Sequence, residues 1–264
     1  MDSDDRQVGR ILSRREIIQI FGAAFLVSSG SDAVRRPVSV VGKTALPPCI
    51  VRPEQTEGPF FADLELERSD IRTEPSTGVF LPGLPLELTF QVSQVGNEEC
   101  VPLSGARVDI WQCDAVGRYS AFQDRSAGRD LREEKFLRGY QLTDASGMAR
   151  FMTIYPGWYR GRAVHIHFKI RTEVSQGSAY EFTSQLYFED VLSDQVYAEA
   201  PYSARGVRPT RNTNDGIFRR TGDNLMLDLT PNDEGYQATF GIGLDLSDAD
   251  TGGLDSNRRS RRFN

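Results

Sequence analysis

The amino-acid sequence predicts an all-β protein, namely an antiparallel β-sandwich whose strands are joined by long loops. Apolar and polar side chains alternate at residues 86–93 and again at residues 236–246, and a period of two is typical of strands with one buried face. The 264 residues include 24 Gly and 13 Pro, which favours many turns. No segment of comparable length with a helical period follows residue 30. Together these observations favour a sandwich over an α/β fold.

The first 33 residues have the organisation of an export signal. Several arginines, the last two being Arg14 and Arg15, precede an apolar stretch at residues 17–27 that is followed by small residues. The paired arginines resemble a twin-arginine signal, and the alternative is a short amphipathic helix with a solvated arginine pair. The apolar stretch is shorter than the roughly 20 residues of a membrane span. We therefore predict export to the periplasm or the extracellular space, with no stable membrane span.

The predicted strands lie in the middle of the chain. Residues 34–47 are predicted to be a linker, residues 48–247 the sandwich, and residues 248–264 a disordered tail rich in Asp, Gly, Ser and Arg. Further strands within the sandwich are predicted at residues 106–113, 149–155, 164–171, 181–188 and 225–229. A short helix is predicted at residues 192–199.

Charge and composition exclude several classes of protein. The chain has 31 Lys and Arg against 37 Asp and Glu, a net charge of −6, so it has no overall positive field for phosphates and we expect no nucleic-acid partner. Three cysteines allow at most one internal disulfide. The two histidines are too few for a three-histidine zinc site within one chain.

Both histidines belong to one predicted strand. The even-numbered residues from 164 to 170 are all apolar and should face the core, which places His165, His167 and Lys169 together on the opposite face. Side chains two positions apart in a strand can converge on one ion, and the alternative is an exposed polar face. If the pair binds a metal, the remaining ligands must be carboxylates, thiolates or phenolates.

Four blocks of sequence carry a resemblance to a known family. Residues 56–60 read Thr-Glu-Gly-Pro-Phe, residues 138–144 read Arg-Gly-Tyr-Gln-Leu-Thr-Asp, residues 155–159 read Tyr-Pro-Gly-Trp-Tyr, and the fourth block is the His-Ile-His strand. In this order they resemble the intradiol ring-cleavage dioxygenases, the group of protocatechuate and catechol dioxygenases. The chain looks most like the exported members with one domain, and the sequence leaves open whether it forms a homo-oligomer.

The resemblance implies a fold, a cofactor and a set of site residues. The family cleaves a small aromatic diol with O2, and the long loops of its sandwich form the active site. A non-haem ferric ion, Fe(3+), is held by two tyrosines and two histidines, which by resemblance are Tyr119, Tyr159, His165 and His167. The family's catalytic arginine and glutamine match Arg162 and Gln185, and Tyr159 would also act in catalysis by leaving the metal and accepting a substrate proton.

Strand alternation supports Gln185 independently of the resemblance. If residues 164–171 and 181–188 form a hairpin, their apolar side chains share one face and Gln185 falls on the histidine face.

Two other functions remain alternatives. One is a transthyretin-like binding module without catalysis, and the other is a ferrous oxygenase with two histidines and a carboxylate. The identity of the aromatic substrate is left open.

Overall fold

Strands outnumber helices in the structure, a computed structural model that describes residues 50–96, 99–124, 129–174 and 178–247. The strands are β1 (Pro85–Val95), β2 (Cys100–Pro102), β3 (Arg107–Trp111), β4 (Gln123–Asp124), β5 (Arg129–Asp130), β6 (Arg138–Leu142), β7 (Met148–Ile154), β8 (His165–Val174), β9 (Ser178–Tyr187), β10 (Thr230–Pro231) and β11 (Tyr236–Leu244). The helices are α1 (Asp190–Tyr197), α2 (Phe218–Thr221) and three 3-10 helices, Tyr202–Arg205, Asn212–Asn214 and Gly222–Leu225. The signal, linker and tail predicted at 1–33, 34–47 and 248–264 lie outside the described residues.

Two sheets form the sandwich. In the first, β1 lies at the centre and pairs with β11 along one edge and with β2 and β7 along the other. The second has the order β6-β3-β8-β9 and is antiparallel throughout. The predicted β-sandwich is confirmed. Between the named strands, pairing is antiparallel except for β1 and β11, which run parallel. No hairpin joins these two strands, and alternation predicts a strand without predicting its direction.

The apolar faces of the two sheets meet in the core. Four alternate residues of β1 are fully buried, namely Leu86, Leu88, Phe90 and Val92. The Phe90 ring lies 5.2 Å from that of Phe168 in β8 and 6.0 Å from that of Phe240 in β11, measured between ring centroids. These contacts join both sheets, as the alternation predicts.

The predicted strands match those of the structure within a few residues, with one exception. Residues 225–229 are not a strand, since Leu225 ends a 3-10 helix and Met226 forms an isolated bridge to Tyr187. Leu225 and Leu227 are nevertheless buried in the core, and Met226 and Leu229 pack against it, so burial rather than strand pairing explains the apolar pattern. The sequence does not predict the short strands β2, β4, β5, β6 and β10. The predicted helix is confirmed as α1, which begins two residues earlier.

Cys100 is disulfide-bonded, and Cys113 is a buried free thiol. Among the described residues, no helix combines the length and the apolar character needed to cross a bilayer.

Candidate metal centre

The histidine strand β8 is buried on both faces. His165, His167 and Lys169 are 2%, 1% and 2% exposed, so the predicted alternative of an exposed polar face does not hold. Residues 53–61 cover this face, tied to the edge strand β9 by the Gln55 N–H, which donates to the Thr183 carbonyl at 3.0 Å. The histidines therefore lie in a site enclosed by a loop.

Three polar atoms surround the Nε2 atom of His165. The His167 Nε2 and the Tyr159 hydroxyl oxygen each lie 3.1 Å from it, and the Tyr119 hydroxyl oxygen lies 3.5 Å away. The two tyrosines come from different loops, Tyr119 from the chain after β3 and Tyr159 from the connection between β7 and β8. The fold thus brings together all four residues that the resemblance implies as metal ligands.

The protonation states of the two histidines favour metal binding. A carbonyl can only accept a hydrogen bond, so His165 Nδ1, 2.7 Å from the Ala163 carbonyl oxygen, carries the proton and Nε2 keeps its lone pair. Burial, with a smaller contribution from the Arg162 charge, lowers the pKa of His165 to about 3. Burial also lowers the pKa of His167 far below its ordinary value. Both imidazoles are therefore neutral at neutral pH.

The distance between the two imidazole nitrogens fits a single ion. Nitrogen ligands about 2.1 Å from an ion and at right angles to each other would be about 3 Å apart, which matches the 3.1 Å between the two Nε2 atoms. Burial raises the pKa of Tyr159 to about 12 and that of Tyr119 well above its usual value. A trivalent cation would reverse this shift by stabilising the phenolates. The residues present therefore suit a ferric ion.

Two glycines allow the tyrosine loops to approach. A Cβ atom on Gly117 would lie 2.2 Å from the Trp158 carbonyl oxygen, and one on Gly157 would lie 2.3 Å from the Asp114 carbonyl oxygen. Gly117 also has a φ of 81°, which L-residues rarely adopt. The two loops thus pack backbone against backbone, and this contact brings Tyr119 beside Tyr159.

The two tyrosines differ in their surroundings. Tyr119 is 4% exposed, and the Phe60 ring stacks on it with 4.2 Å between centroids and 10° between planes. Tyr159 is only partly buried and meets Phe60 and Tyr119 edge to face. Tyr119 is therefore more tightly enclosed than Tyr159.

Arg162 and Gln185, the other predicted site residues, lie in contact. The Arg162 Nη2 donates to the Gln185 Oε1 at 2.5 Å, and its Nε donates to Asp215 Oδ2 at 2.9 Å. The Gln185 Nε2 donates to the Thr56 carbonyl at 2.9 Å. The Arg162 side chain is 15% exposed, so it is not a solvated surface charge.

Several residues at the site have roles that sequence reasoning missed. The Trp111 ring stacks on His167, with centroids 5.0 Å apart and planes within 6°, since the two residues pair directly across β3 and β8. Predicting that strand pairing would have identified Trp111. Asp215, 1% exposed, carries no comparable sequence signal, because its contact with Arg162 depends on how the loop before α2 folds back.

The structure offers no third ligand of the carboxylate type for the histidine pair. Within the described residues, no group of three or more His, Cys, Asp or Glu side chains is arranged to hold a metal ion. The nearby oxygen donors are phenols. This arrangement does not favour the alternative of a site with two histidines and one carboxylate.

Comparisons with known proteins agree with this picture. A sequence profile of the family described as Dioxygenase matches residues 56–210, more than half of the chain. The chain is 33% identical over 135 residues to the protocatechuate 3,4-dioxygenase beta chain of Burkholderia cepacia, covering 47% of this chain and 55% of that one. It is 30% identical over 130 residues to catechol 1,2-dioxygenase of Candida albicans, covering 41% and 40%. The chain spans about half the length of the curated relatives it matches.

Two solved structures resemble the fold along most of their own length. The intradiol ring-cleavage dioxygenase of Tetranychus urticae superposes with a TM-score of 0.63 at 28% identity, covering 75% of this chain and 95% of that one. The dioxygenase domain of a dioxygenase carbohydrate-binding protein fusion from Streptomyces sp. SirexAA-E superposes with a TM-score of 0.52 at 28% identity, covering 74% and 98%.

Proposed function

Since the chain belongs to the intradiol ring-cleavage dioxygenase family, we propose that it is a non-haem Fe(III) enzyme that cleaves catechol-type aromatics. O2 would be inserted between the two hydroxylated carbons, giving a cis,cis-muconate-type diacid. The observation that carries this proposal is the convergence of two phenol oxygens and two imidazole nitrogens at one point, within 3.5 Å of His165 Nε2.

The proposed ligands are Tyr119, Tyr159, His165 and His167. Two phenolates favour the ferric state, and neutral imidazoles suit iron as borderline ligands. When bound, the ferric ion would draw electron density from the aromatic ring of the substrate and make it reactive towards O2. The protein residues bind and orient the substrate and handle its protons.

We assign Tyr159 as the residue that takes a proton from a substrate hydroxyl. Tyr159 is the less enclosed of the two tyrosines, whereas the Phe60 ring stacks on Tyr119, so we expect Tyr159 to be the one that moves when substrate binds. As a phenolate, the Tyr159 side chain would be a strong enough base to accept a proton from the substrate hydroxyl. Tyr119 remains in place throughout.

Arg162 supplies fixed positive charge beside the histidines. Asp215 and Gln185 hold its guanidinium from two sides, at 2.9 and 2.5 Å. A cation held in advance can stabilise negative charge that develops on the ring during the reaction, with no reorganisation at that moment. Gln185 therefore serves mainly to aim Arg162, and it also ties the Thr56 carbonyl to β9.

Metal analysis, visible spectroscopy and product analysis of the purified protein test the proposal together. We expect about one iron per chain, a red-brown tyrosinate charge-transfer band, and a diacid that contains both atoms of O2. The double variant His165→Ala/His167→Ala is the metal-free control. Active protein that contains zinc or no metal would contradict the cofactor, and a yellow semialdehyde product would contradict cleavage between the hydroxylated carbons.

The substrate is a separate question within the same proposal. Phe60 and Tyr159 place two aromatic rings at the site, with centroids 6.1 Å apart, which suits an aromatic substrate without selecting its substituents. Measuring kcat/KM for catechol, protocatechuate, hydroxyquinol and lignin-derived catechols would identify the preferred class. Lack of turnover with every one of them would contradict the proposed activity.

A further inference from the structure

Arg138, the first residue of β6, is a buried cation whose hydrogen-bond partners are all neutral. It is 3% exposed. Its Nε donates to the Ser120 hydroxyl at 2.9 Å, its Nη2 to the Ser120 carbonyl at 2.6 Å, and its Nη1 to the Phe60 carbonyl at 2.7 Å. Within the described ranges, no carboxylate lies at ion-pair distance from it. By contrast, the buried guanidinium of Arg208 contacts Asp190 at 2.6 Å.

Tyr119 is an ionisable residue whose ring faces this guanidinium. The Arg138 Cζ lies 5.9 Å from the centroid of the Tyr119 ring, at the outer limit of about 6 Å for attraction between a cation and an aromatic face. An arginine guanidinium is charged at neutral pH. A buried cation without a counter-ion is unfavourable, and an ionised Tyr119 would provide that counter-ion.

The same guanidinium binds the backbone of two residues that adjoin Tyr119, one in sequence and one by ring stacking. Ser120 follows Tyr119 in sequence, and Phe60, whose carbonyl accepts from Arg138, stacks its ring on Tyr119. Ala121, which follows Ser120, and Leu137, which precedes Arg138, have φ values of 65° and 52°. Such values are unfavourable for residues other than glycine and persist only where surrounding contacts enforce them.

We propose that Arg138 is a positioning residue for Tyr119, which fixes the phenol by clamping Ser120 and Phe60 and places a permanent positive charge beside the ring. This inference rests on the proposed function, because the charge matters only if Tyr119 acts as a phenolate ligand. The residue has two separable effects. The hydrogen bonds hold the ring in place, and the charge lowers the energy of the electrons on the phenolate oxygen.

Three full-length variants separate these effects. Arg138→Gln removes the charge, and Arg138→Lys keeps the charge but loses the forked set of donors. Arg52→Gln is the matched control, because Arg52 also donates to backbone carbonyls, at 3.1 and 2.5 Å, and lies over an aromatic ring, Phe240. Each protein is loaded with ferric iron, and the wavelength of the tyrosinate band and the rate of iron loss to a chelator are measured.

In Arg138→Gln we expect the band to move to longer wavelength, because phenolate electrons of higher energy need less light energy to reach the iron. Iron loss should be about tenfold faster, the effect expected from one charge-assisted hydrogen bond. Arg138→Lys should keep the wild-type wavelength but also lose iron faster. Arg52→Gln should change neither, even if it lowers the melting temperature.

The results are decisive in each direction. A wild-type band and wild-type iron retention in Arg138→Gln would overturn the inference, as would an equal band shift in Arg138→Lys. If Arg138→Gln does not fold, Arg138→Lys still tests the clamp, because iron retention equal to wild type would contradict it. A wild-type protein that shows no tyrosinate band would instead count against the proposed function.

Discussion

His167 and Gln185 lie directly opposite each other in the antiparallel pair of β8 and β9. Opposite residues in such a pair share one face of the sheet, so the Gln185 amide, which is fully buried, lies on the histidine side. From there it accepts from Arg162 and donates to the Thr56 carbonyl. Through this strand register, Gln185 links the histidine strand β8 to Arg162 and to residues 53–61, the covering loop.

The two tyrosines should differ when each is changed to phenylalanine. Tyr159→Phe should retain iron and some charge-transfer colour from Tyr119, but turnover should fall by about a hundredfold or more, because the base for a substrate proton is lost. Tyr119→Phe should lose the colour of the substrate complex as well as activity. Spectra recorded with an anaerobic catechol, together with kcat, check this. Turnover of Tyr159→Phe at the wild-type rate, or exchanged behaviour of the two variants, would show that the roles are assigned wrongly.

Gly58 should be required for the position of His167. It has a φ of 73°, and a Cβ atom there would lie 3.2 Å from the His167 Cε1. Gly58→Ala should therefore weaken iron retention as well as cost about 1 kcal/mol of stability from backbone strain. Gly78→Ala is the matched control, with a φ of 70° and no atom within 4 Å of the added Cβ. Melting curves and chelator competition should separate the two, and equal iron retention in both variants would contradict this role of Gly58.

Asp215 should make the stability of the protein depend on acid pH. Burial alone would raise the pKa of Asp215, but the Arg162 charge and three backbone N–H donors lower it overall. Its folded pKa then lies below the unfolded value of about 3.9, so the ionised carboxylate stabilises the fold above about pH 4 and this contribution is lost as the pH falls through the folded pKa. Asp215→Asn should therefore lower the free energy of unfolding by about 1–3 kcal/mol at neutral pH.

Urea denaturation of both proteins over a range of pH measures that contribution. The difference in free energy of unfolding between wild type and Asp215→Asn should be constant near neutral pH and shrink below about pH 4. A difference that stays constant into acid would mean that the Asp215 charge does not contribute. The same variant should also reduce kcat, because Arg162 loses the partner at 2.9 Å that orients it.

The ion pair between Lys169 and Glu57 should stabilise the covering loop. The Lys169 Nζ lies 2.6 Å from the Glu57 Oε2, with side chains 3% and 19% exposed. Glu57→Gln should lower the free energy of unfolding by about 1–3 kcal/mol, because the buried Lys169 ammonium loses a negatively charged partner. The comparison variant is Glu65→Gln, which breaks an ion pair between Arg107 and the Glu65 side chain, which is 73% exposed. It should lower the free energy of unfolding by less than about 1 kcal/mol. Chemical denaturation compares them, and equal losses would contradict a special role for Glu57.

Export should depend on the arginine pair near the N-terminus. We propose that Arg14 and Arg15 belong to a twin-arginine-type signal, because they precede a short apolar stretch at residues 17–27. Replacing both with lysine keeps the charge but removes the recognised pair, so the protein should accumulate inside the cell. Cell fractionation with an activity or antibody readout checks this. Unchanged export would mean that the N-terminal residues have been misinterpreted.

Local patterns in the sequence predicted much of the fold and of the candidate site. Alternation identified β1, β8, β9 and β11, because side chains on a strand alternate between faces whatever the strand pairs with. It also placed Gln185 on the histidine side. The family resemblance identified Tyr119 and Tyr159, whose loops have no periodic pattern of their own.

Other features depended on contacts between distant parts of the chain. The parallel pairing of β1 and β11, the stacking of Trp111 on His167 and the carboxylate of Asp215 beside Arg162 all join segments that no local pattern relates. The apolar residues at 225–229 were mistaken for a strand because burial and strand pairing produce the same short apolar run. The sequence by itself therefore determined the apolar core positions of the main strands and the types of donor side chain available. Only tertiary packing, which brings the loops of Tyr119 and Tyr159 together at two glycine contacts, decided that these two phenols meet the two imidazoles around one point.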